Sequence, residues 1–154
     1  MNRPDSGLDS PGARLLQAQG IESSAFTRFM GTRLRSFAPG RVEAELDLRP
    51  ELTQHHGQAH GGVIGYLADT VSAWAAASTG IDVVTAEYKL NFLTAARGEV
   101  LWARGEVLKA GRRQVIVRSD VYATHEGQET HVATALATIA AVNGKNAEET
   151  NAAQ

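Results

Sequence analysis

The chain has 154 residues, 15 Lys plus Arg against 17 Asp plus Glu, no cysteine, and 43% hydrophobic residues with aromatics at only 6%. That length suits one domain with a single core. The net charge of −2 argues against a general nucleic-acid binder, which carries a strongly basic face. The absence of cysteine removes disulfides, thiolate zinc sites and a Cys nucleophile together. Alanine supplies 25 residues, and a methyl side chain buries little area at about 25 cal/mol per Å². The core of an isolated monomer is therefore thin, a first hint that the chain buries apolar surface against a copy of itself.

The N-terminus, MNRPDSGLDSPG, has no apolar run after its single Arg, so it does not read as a secretory signal and a cytoplasmic location is expected. Residues 1–11 and 144–154 are polar and are expected to be disordered tails around one domain spanning 12–143. Over residues 15–30 the apolar positions, with Ser23 or Ser24 as N-cap and Gly31 as stop, predict one or two short helices. Two strands joined by Pro39-Gly40 follow. The second alternates Val42, Ala44, Leu46 and Leu48 with charges, as a half-buried strand does.

From Gly61 to about residue 79 the period becomes helical, and almost no polar face is left, so the helix is either a membrane span or the centre of a core. Asp69 near its middle and its Gly, Ala and Ser content favour the core. Four runs rich in β-branched residues then occupy 83–93, 99–109, 112–122 and 131–142, separated by turn signals at Ala96-Arg97-Gly98, Ala110-Gly111 and His125-Glu126-Gly127; these predict four strands in an antiparallel meander. The fold class is α+β, an antiparallel sheet of about six strands curled around one long central helix.

Asp69 is the sharpest chemical feature, being, apart from the Tyr66 phenol, the sole ionisable side chain between His60 and Asp82. A carboxylate kept in a core helix costs several kcal/mol, on the order of a buried unpaired ion, so it either caps or pairs with a neighbour or serves as general base or nucleophile. His60-Gly61-Gly62 opens the same helix, where first-turn N–H groups and the helix dipole suit an anion or a polarised carbonyl. Gly61 and Asp69 are eight residues apart, roughly 12 Å at 1.5 Å per residue. They cannot serve one carbonyl within a single chain. Two copies with antiparallel central helices bring Gly61 of one to Asp69 of the other, and so predict a dimer. His55, His56 and His60 lack a convergent metal spacing. Arg112 and Arg113, near Lys109, are either a solvated hairpin end or a phosphate-holding cluster.

The run Gln54-His55-His56-Gly57-Gln58-Ala59-His60-Gly61-Gly62-Val63-Ile64-Gly65-Tyr66-Leu67-Ala68-Asp69-Thr70, with Val84-Thr85-Ala86-Glu87-Tyr88-Lys89-Leu90-Asn91-Phe92-Leu93 and Gly111-Arg112-Arg113, resembles hotdog-fold acyl-CoA thioesterases of the phenylacetate-degradation (PaaI-like) type. The resemblance spans about residues 23–142. It implies hydrolysis of an acyl-CoA thioester, with Asp69 as the catalytic carboxylate, the Gly61 N–H polarising the carbonyl, Gln54 holding the carbonyl or the attacking water, and Thr85 orienting water. It also implies a homodimer with two shared sites, often paired into a tetramer, with CoA phosphates on Arg112 and Arg113 and more weakly on Arg97 and Lys109. CoA is then part of the substrate, with no separate cofactor. Two alternatives stand beside it: a hotdog-fold acyl-thioester hydratase or dehydratase that recruits His60, and a non-catalytic acyl-CoA binding protein in which Asp69 is structural.

Overall fold

The structure, a computed structural model, describes residues 6–142; the expected tail at 144–154 lies outside them. At the N-terminal end the chain is tied down from Ser6, whose carbonyl accepts the Phe37 N–H at 2.8 Å. Helix α1 spans Pro11–Leu16; the Ser10 hydroxyl accepts the Ala13 N–H at 3.2 Å, and proline occupies the first turn, where its missing donor costs nothing. The chain continues through a π-helical turn at Gln17–Glu22 into α2, Ala25–Met30. Ser24 caps α2, and Gly31 ends it in the left-handed region at φ 73°, as a C-terminal glycine does. The helical segment thus starts earlier than residue 15 and includes a π turn that local propensity did not signal.

Strands β1 (Arg33–Ala38) and β2 (Arg41–Asp47) form the expected hairpin about Pro39-Gly40. On β2 the residues Val42, Ala44 and Leu46 are fully buried while their neighbours are not. A 3₁₀ turn at Pro50–Leu52 leads toward α3, Gly61–Ala77. Then come β3 (Val83–Phe92), β4 (Val100–Ala110), β5 (Gln114–His125) and β6 (Gln128–Ala141). All six strands make one antiparallel sheet in the order β1-β2-β4-β5-β6-β3.

That order corrects the meander. Only β4, β5 and β6 follow one another; β3 pairs with β6 at the far edge, and β4 takes the free side of β2. The reason lies in α3, which carries the chain from β2 across the sheet to its opposite edge, so the next strand starts there. The Ala96-Arg97-Gly98 signal marks a bend on the return path rather than a tight hairpin; the Ala96 carbonyl accepts the Ala59 N–H at 2.9 Å beside the start of α3.

The helix lies on the inward sheet face, where Leu67, Ala68, Val71 and Ala75 are fully buried against residues such as Leu101, Ala103, Val117, Ala137 and Ile139. Gly105 of β4 lies directly against the helix backbone: a Cβ there would stand 2.2 Å from the Val71 carbonyl oxygen. On the outward face Arg35 lies 4.1 Å over the Trp102 ring, Trp102 stacks on Tyr122 at 4.3 Å, and Tyr122 stacks on His131 at 4.8 Å. This row covers the sheet with aromatic and cationic groups instead of a second helix. Among the described residues no helix is long and apolar enough to cross a membrane.

Because the obstacle at Gly105 is backbone on both sides, Gly105→Ala is expected to lift α3 from the sheet and cost about 3 kcal/mol or more. Urea denaturation followed by circular dichroism would measure it; a loss well under 1 kcal/mol would show that the contact is not what seats the helix.

Candidate active site

The loop before α3 is built by its own backbone. Thr53 and Ala59 bridge, the Gln54 N–H donates to the Gln58 carbonyl at 2.8 Å, and the Gly57 N–H donates back to the Gln54 carbonyl at 2.9 Å. The side-chain oxygen of Gln54 accepts the His56 N–H, and its amide N–H₂ has no acceptor among the described residues. His55 and His56 are exposed with ring centroids 4.0 Å apart. Among the described residues no group of three or more His, Asp or Glu is placed to share a metal ion.

His60 is the N-cap of α3, and its Nδ1 accepts the Gly62 N–H at 2.9 Å. Spacing marked His60 as a chemical candidate; the structure gives its Nδ1 lone pair to the helix. The Gly61 N–H stands in the first turn, where helical geometry supplies no acceptor, and it has none among the described residues. One end of the site is therefore a free N–H at the positive end of the longest helix.

Two turns further on, Asp69 is half-buried and its Oδ1 accepts the Thr85 hydroxyl at 2.7 Å. Asp69 and Thr85, expected as separate contributors, are thus brought together, with Oδ2 left without a protein donor among the described residues. Asp69 sits on the rim of the core, facing the edge strand, rather than enclosed among Leu67, Ala68 and Val71.

The face of α3 bearing Gly61, Gly65 and Asp69 is matched residue by residue along β3. A Cβ on Gly61 would lie 3.2 Å from the Phe92 ring, one on Gly65 would lie 3.1 Å from the Tyr88 hydroxyl, and Asp69 meets Thr85. Phe92 is 59% exposed and Tyr88 39%, so the two elements leave an open groove between them. Alternation from Thr85 would place Glu87 in this groove and Tyr88 outside it. A β-bulge between Thr85 and Glu87 reverses the phase and turns Tyr88 toward α3. Tyr66 is held elsewhere: its hydroxyl lies 2.7 Å from the Thr32 hydroxyl, and its ring meets Phe26 edge-on at 5.2 Å.

The basic candidates divide into two groups. Lys109, Arg112 and Arg113 are exposed around the β4–β5 turn, and none has a carboxylate partner among the described residues. They lie at the Asp69 end of the sheet, since Thr85 is in register with Ile139 and Ile139 with Val115. Arg97 is exposed next to Ala96, at the Gly61 end. The length of β4 separates it from the others by about 30 Å, so one chain does not bring all four cations together.

Comparison with known proteins shows the family and the fold. The family profile described as Thioesterase superfamily matches residues 56–130. The human acyl-coenzyme A thioesterase 13 is 31% identical over 100 residues, covering 62% of this chain and 71% of that protein. A crystal structure of a thioesterase family protein from Silicibacter pomeroyi superposes with TM-score 0.81 at 33% identity, covering 85% of this chain and 98% of that one. A hypothetical thioesterase of Streptococcus pneumoniae, solved with coenzyme A, has TM-score 0.71 at 25% identity, covering 81% and 96%. The same protein was also solved as two mutants, of an aspartate and of a threonine sixteen positions apart, each to alanine. In the other curated relatives the matched stretch spans as little as 66% of their length.

Because His60 caps α3, His60→Ala is expected to cost about 1 kcal/mol of stability while His60→Asn keeps most of it, by urea titration of both variants. Equal losses in the two would mean that the cap is not what His60 contributes.

Proposed function

The chain belongs to the thioesterase superfamily, and from that premise we propose that it hydrolyses an acyl-CoA thioester to a free carboxylic acid and CoA. The observation that carries the reading is the pair formed by Asp69 and Thr85 in a groove that begins at the Gly61 N–H, which has no acceptor among the described residues. The Streptococcus pneumoniae mutants have the same sixteen-residue spacing between aspartate and threonine as Asp69 and Thr85. Relatives named for acyl-coenzyme A, or solved with coenzyme A, support the substrate class.

The helical separation of Gly61 and Asp69 makes the site a shared one. Two copies related by a two-fold axis, their α3 helices antiparallel, place Gly61 of one beside the partner's Asp69. The thioester carbonyl oxygen accepts the Gly61 N–H, and the charge that develops on it is stabilised by the helix N-terminus. The partner's Asp69 takes a proton from water through Oδ2 while the partner's Thr85 holds Oδ1. The water oxygen bonds to the carbonyl carbon, the carbon–sulfur bond breaks, and the thiolate leaves as CoA after taking up the proton. Direct attack by the same carboxylate, giving a mixed anhydride that water then opens, uses the same geometry. Gln54, whose amide N–H₂ has no acceptor among the described residues, lies in the loop that leads to Gly61 and holds the carbonyl or the water.

The same pairing resolves the division of the cations. An antiparallel partner brings its Asp69 end, with its Arg112, Arg113 and Lys109, to the Gly61 end of this chain, where Arg97 lies. All four then border one site, as a nucleotide with several phosphates requires.

Asp69→Asn is expected to keep the fold and the dimer and to lose at least about a hundredfold in turnover, the scale of a lost general base, in a thiol-release assay across aromatic, short-chain and long-chain acyl-CoAs. Turnover near that of the wild type would sink the assignment. Replacing Arg112 and Arg113 by alanine is expected to raise KM severalfold with kcat nearly unchanged, and an unaltered KM would remove them from the phosphate site.

A further inference from the structure

The groove between α3 and β3 has two chemically different ends. Its outer end is the start of α3, with the Gly61 N–H and, close by, the exposed Arg97. From there it runs inward along the helix past Gly61 and Gly65, two positions without a side chain. The opposite wall is the inner face of β3, where Phe92, Leu90 and Tyr88 stand in register with Ala133, Ala135 and Ala137 of β6. The three alanines are buried, and a methyl group on the neighbouring strand leaves the larger side chains of β3 room to lean toward the helix. The inner stretch is therefore lined by hydrocarbon and one phenol.

Tyr88 ends that stretch. A Cβ on Gly65 would stand 3.1 Å from its hydroxyl and 3.9 Å from the Leu90 Cδ2, so the phenol lies across the groove against the helix backbone with Leu90 beside it. Tyr88 is still 39% exposed, which leaves its ring open to whatever occupies the groove. Beyond it lies the polar pair of Thr85 and Asp69. Gly65 gives the phenol its seat, because a side chain at that position would press on the hydroxyl.

The distance available is short. Gly61 and Gly65 are four residues apart, about 6 Å at 1.5 Å per residue. An extended chain advances roughly 1.2 Å per bond, so about five bonds fit between a carbonyl on the Gly61 N–H and the phenol. We propose that Tyr88 is a specificity-determining residue: its phenol closes the acyl end of the groove and restricts the substrate to short acyl groups, of about six carbons with the carbonyl included. The proposal rests on the hydrolytic reading, from which it takes the position of the thioester carbonyl.

Charge sets the direction in which the acyl group runs. The phosphates of CoA need cations and solvent, and these are at the outer end, where Arg97 lies and where the shared site adds the partner's Arg112 and Arg113. The acyl group then points inward, and each methylene laid against Phe92, Leu90 and Tyr88 leaves water. A chain longer than the groove meets the phenol, and an enclosed chain that exceeds its pocket by even one methylene loses about tenfold or more.

Two sets of probes separate the acyl group from the reaction. Straight-chain acyl-CoAs from acetyl to dodecanoyl are read by thiol release, and S-butyl-CoA and S-decyl-CoA, thioethers that cannot be hydrolysed, are read by calorimetry. For the wild type, kcat/KM is expected to peak at or below hexanoyl-CoA and to fall at least about tenfold by decanoyl-CoA. Tyr88→Ala opens the groove by one further turn, as far as Asp69. It is expected to raise kcat/KM for decanoyl-CoA at least about tenfold and to tighten S-decyl-CoA relative to S-butyl-CoA by a similar factor. Tyr88→Phe keeps the ring and is expected to keep the wild-type profile. A wild-type peak at decanoyl-CoA or beyond, or a Tyr88→Ala profile that matches the wild type, overturns the proposal.

If Tyr88→Ala does not fold by circular dichroism, Gly65→Ala decides. Its methyl group fills the end of the groove against the phenol, so hexanoyl-CoA is expected to lose at least about fivefold relative to acetyl-CoA, and an unchanged ratio overturns the proposal. A wild type that releases thiol from none of the acyl-CoAs removes the hydrolytic reading. The thioethers still decide about Tyr88 in that case: tighter S-decyl-CoA binding in Tyr88→Ala keeps the proposal, and equal binding in the two proteins ends it.

Discussion

The contact between Gly105 and the Val71 carbonyl sets the distance between the central helix and its sheet. Helix α3 is apolar on nearly every side, so it must be enclosed, and a six-stranded sheet encloses it only if the helix lies deep on the strands. Gly105 removes a side chain where strand and helix backbones meet, and the alanines of β4, β5 and β6 keep the rest of the floor low. The thin core inferred from composition is in this light a close-fitting one: small residues are placed where backbone must approach backbone.

That depth determines where polar chemistry is permitted. Along the buried faces of α3 a carboxylate would be isolated, whereas on the side facing edge strand β3 it finds a hydroxyl donor and solvent together. Asp69 lies on that side and bonds to Thr85. The helix N-terminus opens on the same side, with Gly61 against Phe92. The groove is therefore a consequence of an edge strand that stops short of covering the helix.

The residues of the groove were legible to different degrees. Asp69 stood out because an ionisable group in an apolar helix needs a reason, and Gly61 because paired glycines before such a helix leave donors free. Thr85 entered through the family resemblance, and its hydrogen bond to Asp69 gave it a physical place. Tyr88 and Phe92 were missed as site residues, Tyr88 because a single-residue bulge inverts the side-chain phase of β3 after Thr85. A bulge has no distinctive composition here, so strict alternation does not indicate that Tyr88 faces the helix. His60 shows the opposite case: a reactive residue type, conspicuous by position, that the local backbone uses as a cap.

By itself the sequence determined the fold class, the number and approximate limits of the strands, the buried central helix and the segregation of charge from core, because these depend on the local period of apolar residues and on turn chemistry. Strand order was decided by the tertiary structure alone: whether β3 lies beside β4 or at the far edge depends on where α3 delivers the chain, and no local pattern encodes a crossing. The same holds for the separation of Arg97 from Arg112 and Arg113, and for the inward turn of Tyr88. Periodicity records which residues prefer burial; which of them meet is settled by packing between segments far apart in the chain.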